Sequence, residues 1–287
     1  MLCISLYFPV ETLITMYSMP NTKFSKQSSI FKFYPGGHRF VKQAHVWRYV
    51  FASQFVGEKI VLDLGCGYGY GADFLLQSGA KQVVGLDFES KRLTLAKRDY
   101  PGIYFIQGNA IRLPFSDDSF DIVIMFEVIE HIASQDILIS EIKRVVRPNG
   151  LLICSTPHKR YTCGTNPDHI KELEPLEFFS LLEKFGRVKR YAQYMSMAEK
   201  KEEERQSQKK KILMTVYKLL PFPPQRAYLK KKVMNLLGKD VKLRPPPKIN
   251  GIILKHLDKR YRVKQYVENS QEIPRILLAV CYKESRK

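Results

Sequence analysis

No C-x-x-C pair occurs in these 287 residues, and the five cysteines (Cys3, Cys66, Cys154, Cys163 and Cys281) are odd in number. That argues against a disulfide framework or a structural zinc site. Cys154 and Cys281 fall within apolar, strand-like runs, so the expectation is reduced, buried thiols in a cytoplasmic protein. No apolar run is long enough to span a bilayer. The opening stretch MLCISLYFPVETLITMYSMP lacks a basic n-region and is broken by Pro9 and Glu11, so it makes a poor signal peptide. Residues 1–22 read as a disordered leader, or as sequence upstream of a true start at Met16 or Met19. Acid is scarce in one region in particular. Residues 199–287 hold 24 Lys+Arg against 9 Asp+Glu, whereas residues 1–198 hold 23 against 19. The first two thirds is therefore near neutral, and the charge of the last third concerns a partner or surface more than the fold.

What is present is the rhythm of an α/β domain with insertions. KIVLDL (59–64), QVVGLD (82–87), IYFIQG (103–108), FDIVIMF (120–126) and GLLICST (150–156) read as buried parallel strands. Helical patterns lie between them at about 69–78, 89–98 and 134–146, with another near 174–185 and a strand near 187–195. This βαβ succession predicts a doubly wound, mostly parallel sheet covered on both faces. Residues 23–57 form an N-terminal cap segment, with HVWRYVFASQFV (45–56) as a helix. The core runs from 58 to 198, a basic helical insertion from 199 to 265, and the final strand and tail from 266 to 287. The insertion carries two apolar stripes, Ile212, Val216, Leu219, Leu220 and Leu229, Val233, Leu236, Leu237, each able to form one helix face.

VLDLGCGYGYG (61–71) carries the chemistry. A strand ends in Asp63 and enters a turn whose glycines permit positive φ and close approach of a ligand to the backbone. The helix that follows offers free N–H groups. Gly67-x-Gly69-x-x-Ala72 also fits a loose dinucleotide fingerprint. Asp87 ends the second strand, 20 residues after Gly67, where a carboxylate can accept from both hydroxyls of a ribose.

GNAIRLPFSDDSFDIVIMFEVIEHI (108–132), followed by EIKRVVRPNGLLICSTP (141–157), resembles the class I S-adenosylmethionine-dependent methyltransferases of the ubiquinone/menaquinone-biosynthesis type, with a methyltransferase type 11 domain. The resemblance rests on the ordered series of the LPF-x-D-x-SFD turn and the EH pair after the fourth strand, and covers about residues 44–195. It implies a Rossmann-like seven-stranded sheet with an antiparallel last strand, and S-adenosylmethionine bound at the strands' carboxyl ends. Asp63, Gly65, Cys66, Gly67 and Gly69 would then approach the methionine part. Asp87 matches the ribose acid, with Phe88 beside the adenine. Asn109 and Ala110 fall where the adenine edge is read, and Phe126 and Glu127 near the sulfonium. Asn109 departs from the family's usual Asp: it keeps a carbonyl acceptor and loses the charge.

Methyl transfer needs acceptor, methyl and leaving sulfur in line, and a hydroxyl acceptor also needs a base. The candidates are His131, His158 and His169, with His158 and His169 flanking a polar loop. Glu127 and Glu130 could orient substrate, and His38 could close the pocket from the N-terminal side. No cluster with metal-ligand spacing stands out, so no metal is expected. The flanking segments resemble enzymes that modify sugars, lipids or surface polysaccharides, which implies a small-molecule, sugar or lipid-linked acceptor, methylated at oxygen or carbon. The basic insertion could meet an anionic membrane surface or form a substrate lid. A nucleic-acid methyltransferase would account for the basic last third. However, FEVIE stands where base amino-methylating enzymes carry Asn/Asp-Pro-Pro-aromatic, and no Pro-Cys nucleophile occurs there. A nicotinamide-dependent oxidoreductase would account for the glycine loop and Asp87, but not for the 108–132 series.

Overall fold

A computed structural model of the protein describes residues 39–162, 166–194, 205, 208, 263–268 and 274–285. The leader at 1–22, His38, Cys163 and nearly all of the insertion at 199–265, with both of its apolar stripes, lie outside the described residues. The helices are α1 (Arg39–Ala52), α2 (Tyr70–Gln77), α3 (Ser90–Asp99), α4 (Gln135–Val145), α5 (Lys159–Thr162) and α6 (Pro175–Glu183). The strands are β1 (Ile60–Leu64), β2 (Gln82–Asp87), β3 (Tyr104–Gln107), β4 (Phe120–Phe126), β5 (Val146–Pro157), β6 (Arg187–Gln193), β7 (Lys264–Gln265) and β8 (Ile276–Tyr282).

One sheet holds all of these strands, in the order β3-β2-β1-β4-β5-β8-β6-β7. The strands from β3 to β5 run parallel. β8 enters antiparallel between β5 and β6, which is why ILLAVCY is an almost uninterrupted apolar run: both of its edges and both of its faces are covered. Seven strands match the expected sheet. The eighth, β7, is a two-residue edge strip antiparallel to β6, too short and too polar to announce itself in the sequence. The order reverses between β1 and β4, and that switch point opens a crevice at the carboxyl ends of the strands.

Alternation along the strands sends side chains to two cores. Val61, Val83, Phe105, Ile122 and Ile124 face α1, α2 and α3, while Leu62, Val84, Val123, Met125 and Leu152 face α4 and α6. Leu138, Ile139, Ile142 and Val145 give α4 its buried face. At the start of α6, Glu174 and Glu177 form a reciprocal capping box around Pro175, satisfying backbone donors that the first turn would otherwise leave free.

The LPF-x-D-x-SFD turn is a structural brace. Arg144 on α4 donates to the carbonyls of Phe115 (2.7 Å) and Leu113 (3.1 Å) and pairs with Glu141 and Asp117. Glu141 in turn accepts from the Leu113 N–H at 2.8 Å. Asp121 closes the opposite end of the sheet, accepting from the Ile60 N–H (2.8 Å) and from Arg147 (3.1 Å). Cys66, Cys154 and Cys281 are buried free thiols, as expected from the sequence. Among the described residues, no helix is long and apolar enough to cross a membrane.

Candidate active site

Asp63, one residue before the end of β1, and Asp87, the last residue of β2, lie on neighbouring parallel strands, and the glycine turn between β1 and α2 follows them. The Gly65 and Cys66 N–H groups both donate to the Leu86 carbonyl, at 2.7 and 3.0 Å. The Gly67 N–H donates to Asp87 Oδ2 at 2.8 Å, and the Glu89 N–H to Oδ1 at 2.9 Å. A carboxylate has about four acceptor positions, so Asp87 orders the loop and keeps capacity for two hydroxyl donors. Gly65, Gly67 and Gly69 all have positive φ, at 80°, 54° and 81°. Their surroundings differ. A Cβ on Gly65 would lie 2.2 Å from Val128, and one on Gly69 2.5 Å from Phe105, whereas one on Gly67 would enter open space. Gly67 is thus the one of these three glycines whose Cβ side is open rather than packed against protein.

Asp63 is almost fully buried, and its carboxyl is pushed up to about 7. Burial is the main cause. The Tyr49 hydroxyl, which donates to both carboxylate oxygens at 3.0 and 3.2 Å, works against it, and the Asp87 charge adds to it. The Cys66 thiol is also driven well up, first by burial and then by Asp63 and Asp87. It packs as an inert group, and only the backbone of Cys66 serves the loop. Phe88 projects from the end of β2 with 77% of its surface exposed, a flat apolar face suited to stacking on a base. Its carbonyl is held by Gln107 at 3.1 Å. Asn109 follows β3, and its side-chain oxygen accepts from the Ile111 N–H at 3.1 Å. It shapes the turn that carries Ala110.

The other half of the crevice starts at the end of β4. Phe126 is buried, edge-on to Tyr49 with ring centroids 5.1 Å apart. Glu127 adopts φ 57°, which turns the chain sharply out of the strand. Its carboxylate accepts from Ser155 Oγ at 3.0 Å and lies 3.7 Å from Arg48. Glu130 and His131 sit on the 3-10 turn Ile129–His131. The loop after β5 is tied to this turn, because the Ile170 and Lys171 N–H groups both donate to the Glu130 carbonyl. That tie brings His169 to His131, with ring centroids 5.0 Å apart. His158 belongs to a different set of contacts. It is buried at the end of β5, accepts from the Arg160 N–H at 3.1 Å, and lies 3.8 Å from Glu174. Burial holds its imidazole below the ordinary histidine range, with Glu174 opposing.

Two features escape a reading of sequence alone. One is the contribution of α1, where His45, Arg48 and Tyr49 approach the crevice. Tyr49 reaches Asp63. Arg48 donates to Gln193 at 2.9 Å and lies over Phe126. His45 contacts the Tyr70 hydroxyl, and burial, with Arg48 beside it, holds the imidazole well below its ordinary value. The apolar spacing of HVWRYVFASQFV signals a helix, but not which of its polar residues reach the sheet. The other is a cluster of potential ligands. The sequence has no metal-ligand spacing, yet the fold gathers Glu130, His131 and His169 so that one ligand atom from each lies within 4.8 Å of the others.

Residues 62–154 match the methyltransferase domain family. A "Probable S-adenosylmethionine-dependent methyltransferase" of Mycolicibacterium smegmatis is 40% identical over 131 residues, covering 44% of this chain and 51% of that protein. A "Fatty-acid O-methyltransferase" of the same organism is 35% identical over 113 residues, 38% of this chain and 41% of that protein. The chain thus spans about half the length of the curated relatives it matches. Among solved structures, a "SAM-dependent methyltransferase, possible histamine N-methyltransferase" of Thermotoga maritima superposes with a TM-score of 0.53 at 14% identity, over 85% of this chain and 92% of that one. Residues 62–154 thus carry a methyltransferase domain, and the fold around it is that of the class I methyltransferases.

Proposed function

We propose that the protein binds S-adenosylmethionine across the carboxyl ends of β1, β2 and β3 and transfers its methyl group to a small-molecule, sugar or lipid-linked acceptor seated toward β4 and β5. The observation that carries this reading is the space left at Gly67 between two buried strand-end carboxylates, with an exposed aromatic face beside them. Asp87 retains acceptor capacity for a ribose, Phe88 offers a stacking surface, and Asp63 offers a carboxylate to a cationic methionine end. The group, when bound, supplies a methyl on a positively charged sulfur. Transfer forms a bond from the acceptor atom to the methyl carbon as the carbon–sulfur bond breaks, with its electron pair remaining on sulfur. A hydroxyl acceptor must also release its proton, and His131 and His169 are the imidazoles grouped where β4 and β5 end.

A lipid-like acceptor is supported by the relative named for fatty acids, and methyl transfer to oxygen by the same name. The basic insertion, proposed at residues 199–265, is then either the part that meets an anionic membrane or the lid over the acceptor. The direct test is transfer from labelled S-adenosylmethionine to fractionated lipids, glycans and small molecules. Label entering a lipid fraction supports this reading; label entering nucleic acid instead would overturn the acceptor class. Cofactor binding is tested separately with Asp87→Ala. Losing a charge-assisted hydrogen bond costs about 1.5–3 kcal/mol, so affinity should fall about ten-fold or more. Unchanged affinity in a folded variant would remove Asp87 from the site.

A further inference from the structure

We propose that Glu130, His131 and His169 bind one divalent transition-metal ion at the carboxyl ends of β4 and β5. The three groups come from two segments, the 3-10 turn after β4 and the loop after β5, held together by the two backbone hydrogen bonds to the Glu130 carbonyl. A ring nitrogen of each histidine and a carboxylate oxygen of Glu130 lie within 4.8 Å of one another. Metal bonds to such ligands are roughly 2.0–2.2 Å long, so modest side-chain rotations would close the remaining distance.

Three further observations separate this cluster from a chance meeting of side chains. First, both imidazoles are oriented through Nδ1. His131 Nδ1 lies 2.8 Å from the Asp168 carbonyl oxygen, and His169 Nδ1 lies 2.7 Å from Glu172 Oε1. An oxygen acceptor in each case places the proton on Nδ1 and leaves the Nε2 lone pair available. A ligating histidine commonly donates its other N–H to a carbonyl or carboxylate in this way. Second, Glu130 is 1% exposed, and its Oε1 has no hydrogen-bond partner, while Oε2 accepts from Thr156. A buried acceptor without a donor calls for an explanation, and a cation supplies one. Third, the two imidazoles meet edge to face without a hydrogen bond from either to Glu130, so the histidines do not satisfy that oxygen themselves.

Two imidazole nitrogens and one carboxylate oxygen suit zinc, cobalt, manganese or iron(II) better than magnesium or calcium, which favour all-oxygen shells. With both imidazoles on the metal neither can take the acceptor's proton; three protein ligands instead leave coordination positions for an acceptor oxygen, whose proton affinity the cation would lower. That last role rests on the methyltransferase reading; the site itself does not.

The test uses the full chain, free of any affinity tag and stripped with a chelator, titrated with Co2+ and followed by its visible absorption, with calorimetric titration of Zn2+ and Mg2+ alongside. One ion per chain is expected. The absorption should vanish in His131→Ala/His169→Ala. Affinity should fall about ten-fold or more in Glu130→Gln, and about ten-fold in Glu172→Gln, which leaves the ligands in place and removes the charge that orients one of them. Circular dichroism and thermal unfolding of each metal-free variant establish that it is folded. The absence of a cobalt signal in the wild-type chain would overturn the proposal. So would a signal undiminished in the double histidine variant, or saturation by Mg2+ with no response to Co2+ or Zn2+. S-adenosylmethionine binding is measured on the same samples. Metal uptake without cofactor binding would sink the methyltransferase reading and leave the metal site standing, and the reverse result would do the opposite.

Discussion

Asp63 should make cofactor binding a titration. In the free protein its carboxyl is held at about 7 because burial disfavours the charged form, and the Tyr49 hydroxyl only partly offsets this. A ligand bringing positive charge to the end of β1 prefers the ionised carboxylate. Binding should therefore expel a proton below pH 7, and affinity should rise with pH. With a free-state value of about 7 and a much lower bound-state value, the ionised fraction, and hence affinity, grows roughly ten-fold from pH 6 to pH 8. Calorimetry in buffers of different ionisation enthalpy would count the proton. Asp63→Asn should bind weakly at every pH and retain only the ligand's own titration. Tyr49→Phe should push the Asp63 carboxyl higher and move the wild-type curve toward alkaline pH. A wild-type affinity that is flat between pH 6 and 8, or an equal slope in Asp63→Asn, would refute the reasoning. Stability should change in the opposite direction. The unfolded Asp63 ionises near its ordinary 3.8 while the folded protein holds the proton up to about 7. The unfolded state therefore binds fewer protons in that window, and the free protein loses stability as pH rises from 4 to 7. The slope due to Asp63 is at most about 1.4 kcal/mol per pH unit, and Asp63→Asn should abolish it.

The glycines of the loop should separate by mechanism. Gly67→Ala accepts about 1–2 kcal/mol of backbone strain but meets no protein atom, so it should fold and lose cofactor affinity in calorimetry. Gly71→Ala places a methyl 2.0 Å from the Tyr49 ring, so it should lower the melting temperature by forcing α1 off α2. Arg144→Ala removes the brace of the LPF-x-D-x-SFD turn and should cost about 2 kcal/mol in urea unfolding, with cofactor affinity in the surviving folded fraction unchanged. Flotation with liposomes tests the basic insertion: salt-sensitive binding to anionic vesicles alone, lost when Lys230, Lys231 and Lys232 become Glu, is expected at about 1 kcal/mol per residue. Absence of binding would leave the lid.

The proposed cofactor half of the site is readable from the sequence because it is local in the chain. Asp63, the three glycines and Asp87 lie on one βαβ unit, whose apolar runs fix the strands and whose glycines fix the turn, so spacing along the chain translates into distance. β4 was readable to the residue for the same reason: FDIVIMF is buried from one end to the other apart from Asp121. The proposed acceptor half is not readable in that way. His131 and His169 meet because a loop's backbone donates to the Glu130 carbonyl, and backbone hydrogen bonds leave no mark on side-chain identity. His158, which looked equivalent from the sequence as another polar residue of the same loop region, is instead turned into contacts with Arg160 and Glu174. The LPF-x-D-x-SFD series served as a family marker in the sequence. Its physical content is a loop held by Arg144, which lies beyond it on α4.

The two halves of the crevice meet on α1. Tyr49 donates to Asp63 on the side of β1 and β2, and its neighbour Arg48 lies against Glu127 and Phe126 on the side of β4. Consecutive residues on a helix point about 100° apart, so α1 must lie across the switch point for both contacts to form at once. Arg48 is itself tethered to Gln193, whose side-chain amide donates to the Ala44 carbonyl at 2.9 Å. The register of α1 is thereby fixed to β6 at the far side of β8. Gly71 completes the arrangement, because the Tyr49 ring occupies the space that any Cβ there would need. The protonation of Asp63, the packing of α2 and the placement of Glu127 therefore share a single structural support, two adjacent side chains of one helix. Neither carries a familiar motif, and both gain their meaning only from the sheet against which they fold.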